Sequence, residues 1–198
     1  DKLTDEKIVK EIKKIEKKDF TVIEAKVSKK SKNSPLPLKT STLQQLASSY
    51  LGFSASKTMR VAQGLYEGID IDHKGLITYM RTDSTRISED AIEMAKKYIL
   101  ENFGKEYLGV QKTVKNKQKI QDAHEAIRPT DIELTPDNLK NTLDKDQYKL
   151  YKLIWDRFLI SQLAPMKYEQ FEIICNYEKF DFRGTINKII FDGYYKIF

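Results

Sequence analysis

The sequence predicts an α+β protein in which a mainly helical part is inserted into a β-rich part. Two observations lead to this prediction. Apolar residues recur at about every third or fourth position through the middle of the 198-residue chain, and at about every second position near both ends. The first period is typical of helices and the second of strands. Because 40% of the residues are hydrophobic, the chain can form a core, and a wholly disordered chain is excluded.

We expect the helix and strand of residues 1–38 to belong with the returning strands of residues 166–198 in a β-rich arch. The helical part then spans residues 39–165. Residues 20–27 have the composition of a strand, and residues 29–37 are a polar connector with two prolines. The apolar residues that recur on one face of the opening helix are Ile8, Ile12 and Ile15.

Two short helices are predicted next. Ser41 or Thr42 begins the first and Gly52 ends it, while Ser54 or Ser56 begins the second and Gly68 ends it. The pair resembles a helix-turn-helix unit, and an ordinary packed helix pair is the alternative. The side chains expected to face the core are Leu43, Leu46, Ala47, Tyr50, Leu51, Met59, Ala62, Leu65 and Tyr66.

The remaining elements follow from their flanking residues. Residues 76–81 are predicted as a short strand, and Ser88 begins a helix that continues to about residue 102. A short helix is predicted over residues 122–128, where the following proline stops it. A long apolar helix is predicted over residues 144–163, and three or four strands follow it.

Composition excludes several classes of protein. Lysine and arginine number 35 against 29 acidic residues, so the net charge of +6 permits a nucleic-acid partner without requiring one. No apolar run reaches the length of about 18 residues that a membrane span needs, so no membrane partner is expected. The single cysteine, Cys175, excludes a disulfide framework and favours a cytoplasmic setting. The opening residues lack the apolar centre of a signal peptide.

Residues 75–84, GLITYMRTDS, contain the densest group of reactive side chains. If the segment is extended, Tyr79, Arg81 and Asp83 project to one side. A tyrosine hydroxyl has a pKa of about 10, so its ionisation near neutral pH costs about 4 kcal/mol. A neighbouring guanidinium favours the phenolate and binds a phosphate, which suits attack of Tyr79 on a phosphodiester. The alternative is a strand tyrosine whose hydroxyl makes a structural hydrogen bond.

His124 and Arg128 would share one face of the short helix predicted over residues 122–128. An imidazole beside a guanidinium suits a phosphate, while the alternative is a surface histidine without function. A zinc-protease helix is excluded, because it needs a second histidine where Arg128 stands. Asp70 and Asp72 have no third acidic residue beside them, so we interpret them as a polar turn and predict no metal site.

Lys112, Lys115 and Lys117 lie in a basic stretch over residues 111–121. Lysines at such spacing suit the backbone of a nucleic acid, and each phosphate neutralised on a single strand adds about 0.7 to the salt dependence of binding. A solvated loop is the alternative.

The motifs GLITYMRTDS, TRIS and DAHEAIRPT closely resemble those of the bacterial type IA DNA topoisomerases. The segment STLQQLASSYLGFSASKTMRVAQGLYEG resembles the same family's helical region, and the resemblance is strongest from residue 38 to residue 131. Met80 favours the topoisomerase I branch, because topoisomerase III usually has proline there and reverse gyrases often differ.

The resemblance implies that Tyr79 attacks single-stranded DNA and becomes joined to the 5′ phosphate. Another strand passes through the gap, and reversal reseals it without ATP, so that negative supercoils are relaxed. Arg81 is implied to clamp the phosphate and position the tyrosine, and His124 to lie near the scissile site, with a role in proton transfer. Asp83 and Arg128 match motif positions for DNA contact or support of the site.

The family's acidic metal-binding cluster, Asp-x-Asp-x-Glu, does not occur in this sequence. The resemblance therefore implies a central fragment that is inactive alone, with single-stranded DNA and the N-terminal metal-binding domain as partners. Mg²⁺ is expected to bind outside the fragment, which itself would carry no cofactor. The alternatives are a non-catalytic single-stranded DNA-binding module of the same fold, a structural hinge, and a topoisomerase III or reverse gyrase relative.

Overall fold

The computed structural model describes residues 6–15, 19–68, 75–109 and 124–197. The chain divides into two compact units. Residues 1–30 and 167–190 form the first unit, and residues 31–166 with 191–198 form the second. Within these described ranges, no helix is both long enough and apolar enough to cross a bilayer.

The first unit contains helix α1 (Glu6–Lys13) and most of a three-stranded antiparallel sheet. Its strands are β1 (Thr21–Lys32), β2 (Met166–Tyr177) and β3 (Phe180–Phe191), in the order β1-β2-β3. The structure is therefore mixed helix and sheet, as the sequence predicts.

The prediction of three or four strands after the long helix was wrong, because β2 and β3 form one hairpin of two 12-residue strands. The chain reverses at Glu178, which has a positive φ of 50°. Gly184 lies within β3 and does not interrupt it. β1 is also longer than predicted, since it continues to Lys32 and includes the first part of the expected connector.

The described part of the second unit contains four α-helices. They are α2 (Thr40–Leu46), which continues into a π-helical turn (Ala47–Leu51), α3 (Ala55–Glu67), α4 (Glu89–Asn102) and α5 (Lys145–Gln162). The predicted helix ends are confirmed at three places: the hydroxyls of Ser54 and Ser88 accept hydrogen bonds from the first turns of α3 and α4, and Gly52 has the left-handed φ of 68°.

Two tyrosines predicted to face the core are exposed instead. Tyr50 is 67% exposed and Tyr66 is 40% exposed. Tyr50 lies in the π-helical turn, which has more residues per turn than an α-helix and so rotates the following side chains off the apolar stripe. Tyr66 lies in the last turn of α3, where its ring contacts another aromatic ring rather than the core.

Helix α5 is at the centre of the second unit. Its buried side chains are Leu150, Tyr151, Ile154, Trp155, Phe158, Leu159 and Ile160. Each fully buried apolar side chain of this size stabilises the fold by about 1.5–3 kcal/mol. The indole of Trp155 donates to the carbonyl of Ile132 over 3.0 Å, and the hydroxyl of Tyr151 donates to that of Leu134 over 2.6 Å. These bonds fix the segment that follows the predicted histidine motif onto α5.

Candidate active site

The segment that carries Tyr79 is held by main-chain hydrogen bonds from two directions. The amide of Leu76 donates to the carbonyl of Leu65 at the end of α3 over 2.8 Å. The amide of Thr78 donates to the carbonyl of Arg128 over 2.9 Å. The strand predicted over residues 76–81 is not formed, because the segment makes only an isolated bridge, from Ile77 to Pro129. It therefore crosses between other segments instead of joining a sheet.

Along this segment, exposed and buried side chains nevertheless alternate, as the sequence predicts. Arg81 and Asp83 are exposed, and Tyr79 is 42% exposed. The intervening side chains of Met80, Thr82 and Ser84 are buried. Ile77 departs from the alternation, because it is buried where it bridges Pro129. The structure thus presents the phenol, the guanidinium and the carboxylate to solvent.

The ring of Tyr79 packs edge-on against the ring of Tyr66, with centroids 5.4 Å apart and planes at 66°. The close contact between the tyrosine segment and the end of α3 depends on Gly75. A Cβ at Gly75 would lie 2.1 Å from the carbonyl oxygen of Tyr66, which no side chain can tolerate. The glycine therefore allows the tyrosine segment to leave the end of α3 at close range.

An open cavity of about 460 Å³ lies beside the tyrosine segment. Arg81, Asp83 and His124 all line it, so the structure brings these three predicted residues together. Tyr79 is not among the described residues that line it. The remaining lining residues are Lys39, Thr40, Ser41, Gln44 and Thr82.

The segment that carries His124 is not the short helix predicted over residues 122–128. In its described part, the amide of Ala126 donates to the carbonyl of Arg86 over 2.8 Å, and the amide of Ile127 donates to the carbonyl of Leu38 over 2.8 Å. These long-range partners satisfy amides that a helix would have used, and Pro129 disfavours helical geometry directly before it. The predicted shared helical face of His124 and Arg128 is therefore wrong.

Arg128 points its guanidinium into the protein rather than into the cavity. Nε and Nη2 donate to the same carboxylate oxygen of Glu125, over 2.9 Å and 2.7 Å. Nη1 donates to the carbonyl of Pro129 over 2.9 Å, and Nη2 to the hydroxyl of Ser88 over 3.3 Å. Only 11% of the side chain is exposed. Three of these bonds lie within the histidine segment, and the bond to Ser88 joins that segment to the start of α4.

Several predicted residues lie outside the described ranges. Lys112, Lys115 and Lys117 are among them, and so are Asp70 and Asp72. Among the residues that the structure does describe, no group of three histidine, cysteine or acidic side chains is placed to hold a metal ion.

The sequence analysis did not identify the residues at the start of α2 that line the cavity opposite in sequence to the tyrosine segment. Lys39, Thr40, Ser41 and Gln44 lie at the start of α2, about forty residues before the tyrosine segment. No spacing pattern connects two segments so far apart. The signal that was available is the resemblance of the segment STLQQ to the same family.

Comparison with known proteins identifies the family. The family model described as "DNA topoisomerase" matches residues 1–198. The chain is 51% identical to DNA topoisomerase 1 of Thermotoga maritima over 99% of its own length and 31% of that protein. It is 49% identical to DNA topoisomerase 1 of Fervidobacterium islandicum over 91% of its length and 27% of that protein.

A solved structure gives the same result. Full-length topoisomerase I from Thermotoga maritima matches 99% of the chain with a TM-score of 0.85 and 49% identity, and 32% of that structure is covered. The chain thus spans about a third of the length of the relatives it matches. Sequence, fold and motif residues agree that the chain belongs to the bacterial type IA DNA topoisomerase family.

Proposed function

We propose that this chain supplies the nucleophile of an ATP-independent type IA DNA topoisomerase. The observation that carries the proposal is the grouping of Arg81, Asp83 and His124 around one cavity, with exposed Tyr79 two residues before the arginine. A phenol beside cationic groups suits attack on a phosphodiester, since the cations bind the phosphate and favour the phenolate.

In the proposed reaction, the phenolic oxygen of Tyr79 forms a bond to phosphorus, and the bond from phosphorus to the 3′ oxygen breaks. The phenol loses its proton, and the departing 3′ oxygen gains one. A covalent intermediate of this kind retains the phosphodiester energy, so that attack by the 3′ hydroxyl reverses the step without ATP. The longer protein would pass another strand through the gap and so relax negative supercoils.

The cavity residues are assigned roles by their position. Arg81 neutralises the phosphate that Tyr79 attacks. His124 lines the same cavity and serves in proton transfer, and Asp83 supports the site. Mg²⁺ is proposed to be held by the metal-binding domain of the longer protein.

The test is a covalent-adduct assay in which the metal-binding half of the protein and Mg²⁺ are supplied in trans. A single-stranded oligonucleotide labelled at its 3′ end should become attached to the chain, because the tyrosine retains the 5′ phosphate of the downstream fragment. The same oligonucleotide labelled at its 5′ end should yield a shorter free fragment. Tyr79→Phe should abolish both products.

Tyr50→Phe is the matched control, because Tyr50 is also exposed but lies in the π-helical turn after α2 and not in the segment 75–84. An adduct that survives Tyr79→Phe would overturn the proposal. Binding of the oligonucleotide without any adduct would favour the non-catalytic DNA-binding module. The chain alone is expected not to relax a supercoiled plasmid, and relaxation by the pure chain would contradict that expectation.

A further inference from the structure

The start of α2 is fixed against the tyrosine segment by one threonine. The hydroxyl of Thr40 donates to the carbonyl of Met80 over 2.7 Å and accepts from the amide of Thr82 over 2.8 Å. The amide of Thr40 donates to the carbonyl of Thr82 over 2.9 Å. These bonds reach both chain neighbours of Arg81. The backbone next to Lys39 and the backbone on either side of Arg81 therefore form one hydrogen-bonded unit.

The backbone of Lys39 itself is also fixed. Its amide donates to the hydroxyl of Thr42 over 2.9 Å, and its carbonyl accepts from the amide of Leu43 over 2.9 Å. The preceding residue, Leu38, is buried and bridges Ile127 in the histidine segment. A lysine on such a backbone loses less conformational freedom when it binds a ligand.

Lys39 and Arg81 both face the cavity without an internal counter-ion. Neither side chain makes an ion pair or a hydrogen bond with any residue that the structure describes. Some other cations in this unit are paired, as Lys57 is with Asp146 and Arg128 is with Glu125. Two cations that line one cavity and lack internal partners are suited to an anionic ligand.

We propose that Lys39 is a phosphate-binding residue of this site and contacts a phosphodiester of single-stranded DNA next to the one held by Arg81. The open cavity of about 460 Å³ lies in the range of about 300–1,000 Å³ that is typical of ligand sites. This inference rests on the proposed function, since it takes the bound strand to be the substrate. Lys39 positions that strand and forms no bond with the reacting atoms.

The test measures how salt weakens the binding of a fluorescein-labelled thymidine oligonucleotide to the whole chain, by fluorescence anisotropy. One lost phosphate contact on a single strand lowers the slope of log affinity against log salt by about 0.7. When NaCl is raised from about 50 to 200 mM, the affinity of each protein falls by some factor. For Lys39→Gln and Lys39→Met, this factor should be about 2.6 times smaller than for the wild type. Lys39→Arg keeps the charge and should keep the wild-type slope.

Lys97→Gln is the matched control. It removes the same charge as Lys39→Gln, but from an exposed lysine of α4 that does not line the cavity. A wild-type slope in Lys39→Gln and Lys39→Met, or an equal loss in Lys97→Gln, would overturn the inference. If the wild type forms the tyrosine adduct and Lys39→Gln keeps its slope, only the role of Lys39 fails. If the wild type binds no oligonucleotide, the proposed function fails with it.

Discussion

The hydroxyl of Thr78 donates a hydrogen bond of 2.7 Å to the main-chain carbonyl of Ala126. The same hydroxyl accepts a bond of 3.0 Å from the amide of Arg128. Thr78 directly precedes Tyr79, and Ala126 follows His124 by two residues. The side chain of Thr78 therefore helps to join the segment of the nucleophile to the segment of the imidazole, across the 48 residues of sequence from Thr78 to Ala126.

Thr78→Val should reduce both stability and adduct formation. Valine fills the same volume but leaves the buried carbonyl of Ala126 without this donor, which costs about 1–3 kcal/mol. Urea denaturation measures the loss. Thr130→Val is the control, because the hydroxyl of Thr130 bonds the carbonyl of Gly75 at an exposed site where water can replace it. Equal effects of the two substitutions would contradict the prediction.

Tyr66→Ala should slow adduct formation in the reconstituted cleavage assay. The edge-on contact of two aromatic rings contributes about 0.5–1.5 kcal/mol beyond area burial, which corresponds to roughly two- to twelvefold in rate if it orients Tyr79. Tyr66→Phe keeps the ring and should react as the wild type does. A wild-type rate in Tyr66→Ala would show that the contact does not position the nucleophile.

Arg128→Gln should destabilise the fold without changing the salt dependence of DNA binding. A glutamine cannot reproduce the planar set of bonds to Glu125, Pro129 and Ser88, and the loss of charged hydrogen bonds costs about 1.5–3 kcal/mol. Urea denaturation measures the stability, and anisotropy titration measures the salt dependence. Arg60→Gln, at an exposed position of α3, should leave stability unchanged. A reduced salt slope with wild-type stability in Arg128→Gln would instead indicate direct DNA contact.

The ion pair between Lys57 and Asp146 should make part of the stability depend on pH. The hydrogen bond from Lys57, over 2.7 Å, lowers the pKa of Asp146 below its ordinary value of 3.8. A lowered folded-state pKa contributes stability above the unfolded-state pKa, and this contribution is lost as pH falls through the folded-state pKa. Lys57→Gln should therefore melt at a lower temperature than the wild type at neutral pH.

The difference between Lys57→Gln and the wild type should shrink below about pH 4, as Asp146 becomes protonated. The contact of Lys57 with the ring of Phe53, at 4.2 Å, is also lost but does not titrate in this range. Lys140→Gln, at an exposed position, should melt as the wild type does throughout. A constant difference across the acid range would show that the pair with Asp146 contributes nothing.

Local patterns predicted the outward side of the tyrosine segment well. Tyr79, Arg81 and Asp83 face solvent because the alternate residues, such as Met80, are buried. This alternation follows from the geometry of the backbone and requires no strand partner. The starts of α3 and α4 at Ser54 and Ser88 were equally predictable, because a serine hydroxyl satisfies amides of the first turn.

Long-range pairing decided the features that the sequence did not reveal. The segment around His124 is not the predicted short helix, because the amides of Ala126 and Ile127 donate hydrogen bonds to the carbonyls of Arg86 and Leu38. The spacing of apolar residues within a short segment does not indicate such distant partners. The wall of the cavity at Lys39 depends on the bond from Thr40 to Met80, forty residues away in sequence. Propensity over a few residues cannot anticipate either partner.

The sheet of the first unit has a consequence for the behaviour of the chain in solution. β1 and β3 are the outer strands of the described sheet, and each leaves a row of main-chain groups unpaired. Exposed apolar side chains lie on both, among them Val22, Ile23, Ile186 and Ile190. Lysines, whose charge discourages edge-to-edge pairing, are most frequent from Lys26 to the end of β1, whereas β3 has one lysine, Lys188. Concentrated chains will therefore self-associate first through β3 and the beginning of β1, unless another polypeptide covers those edges.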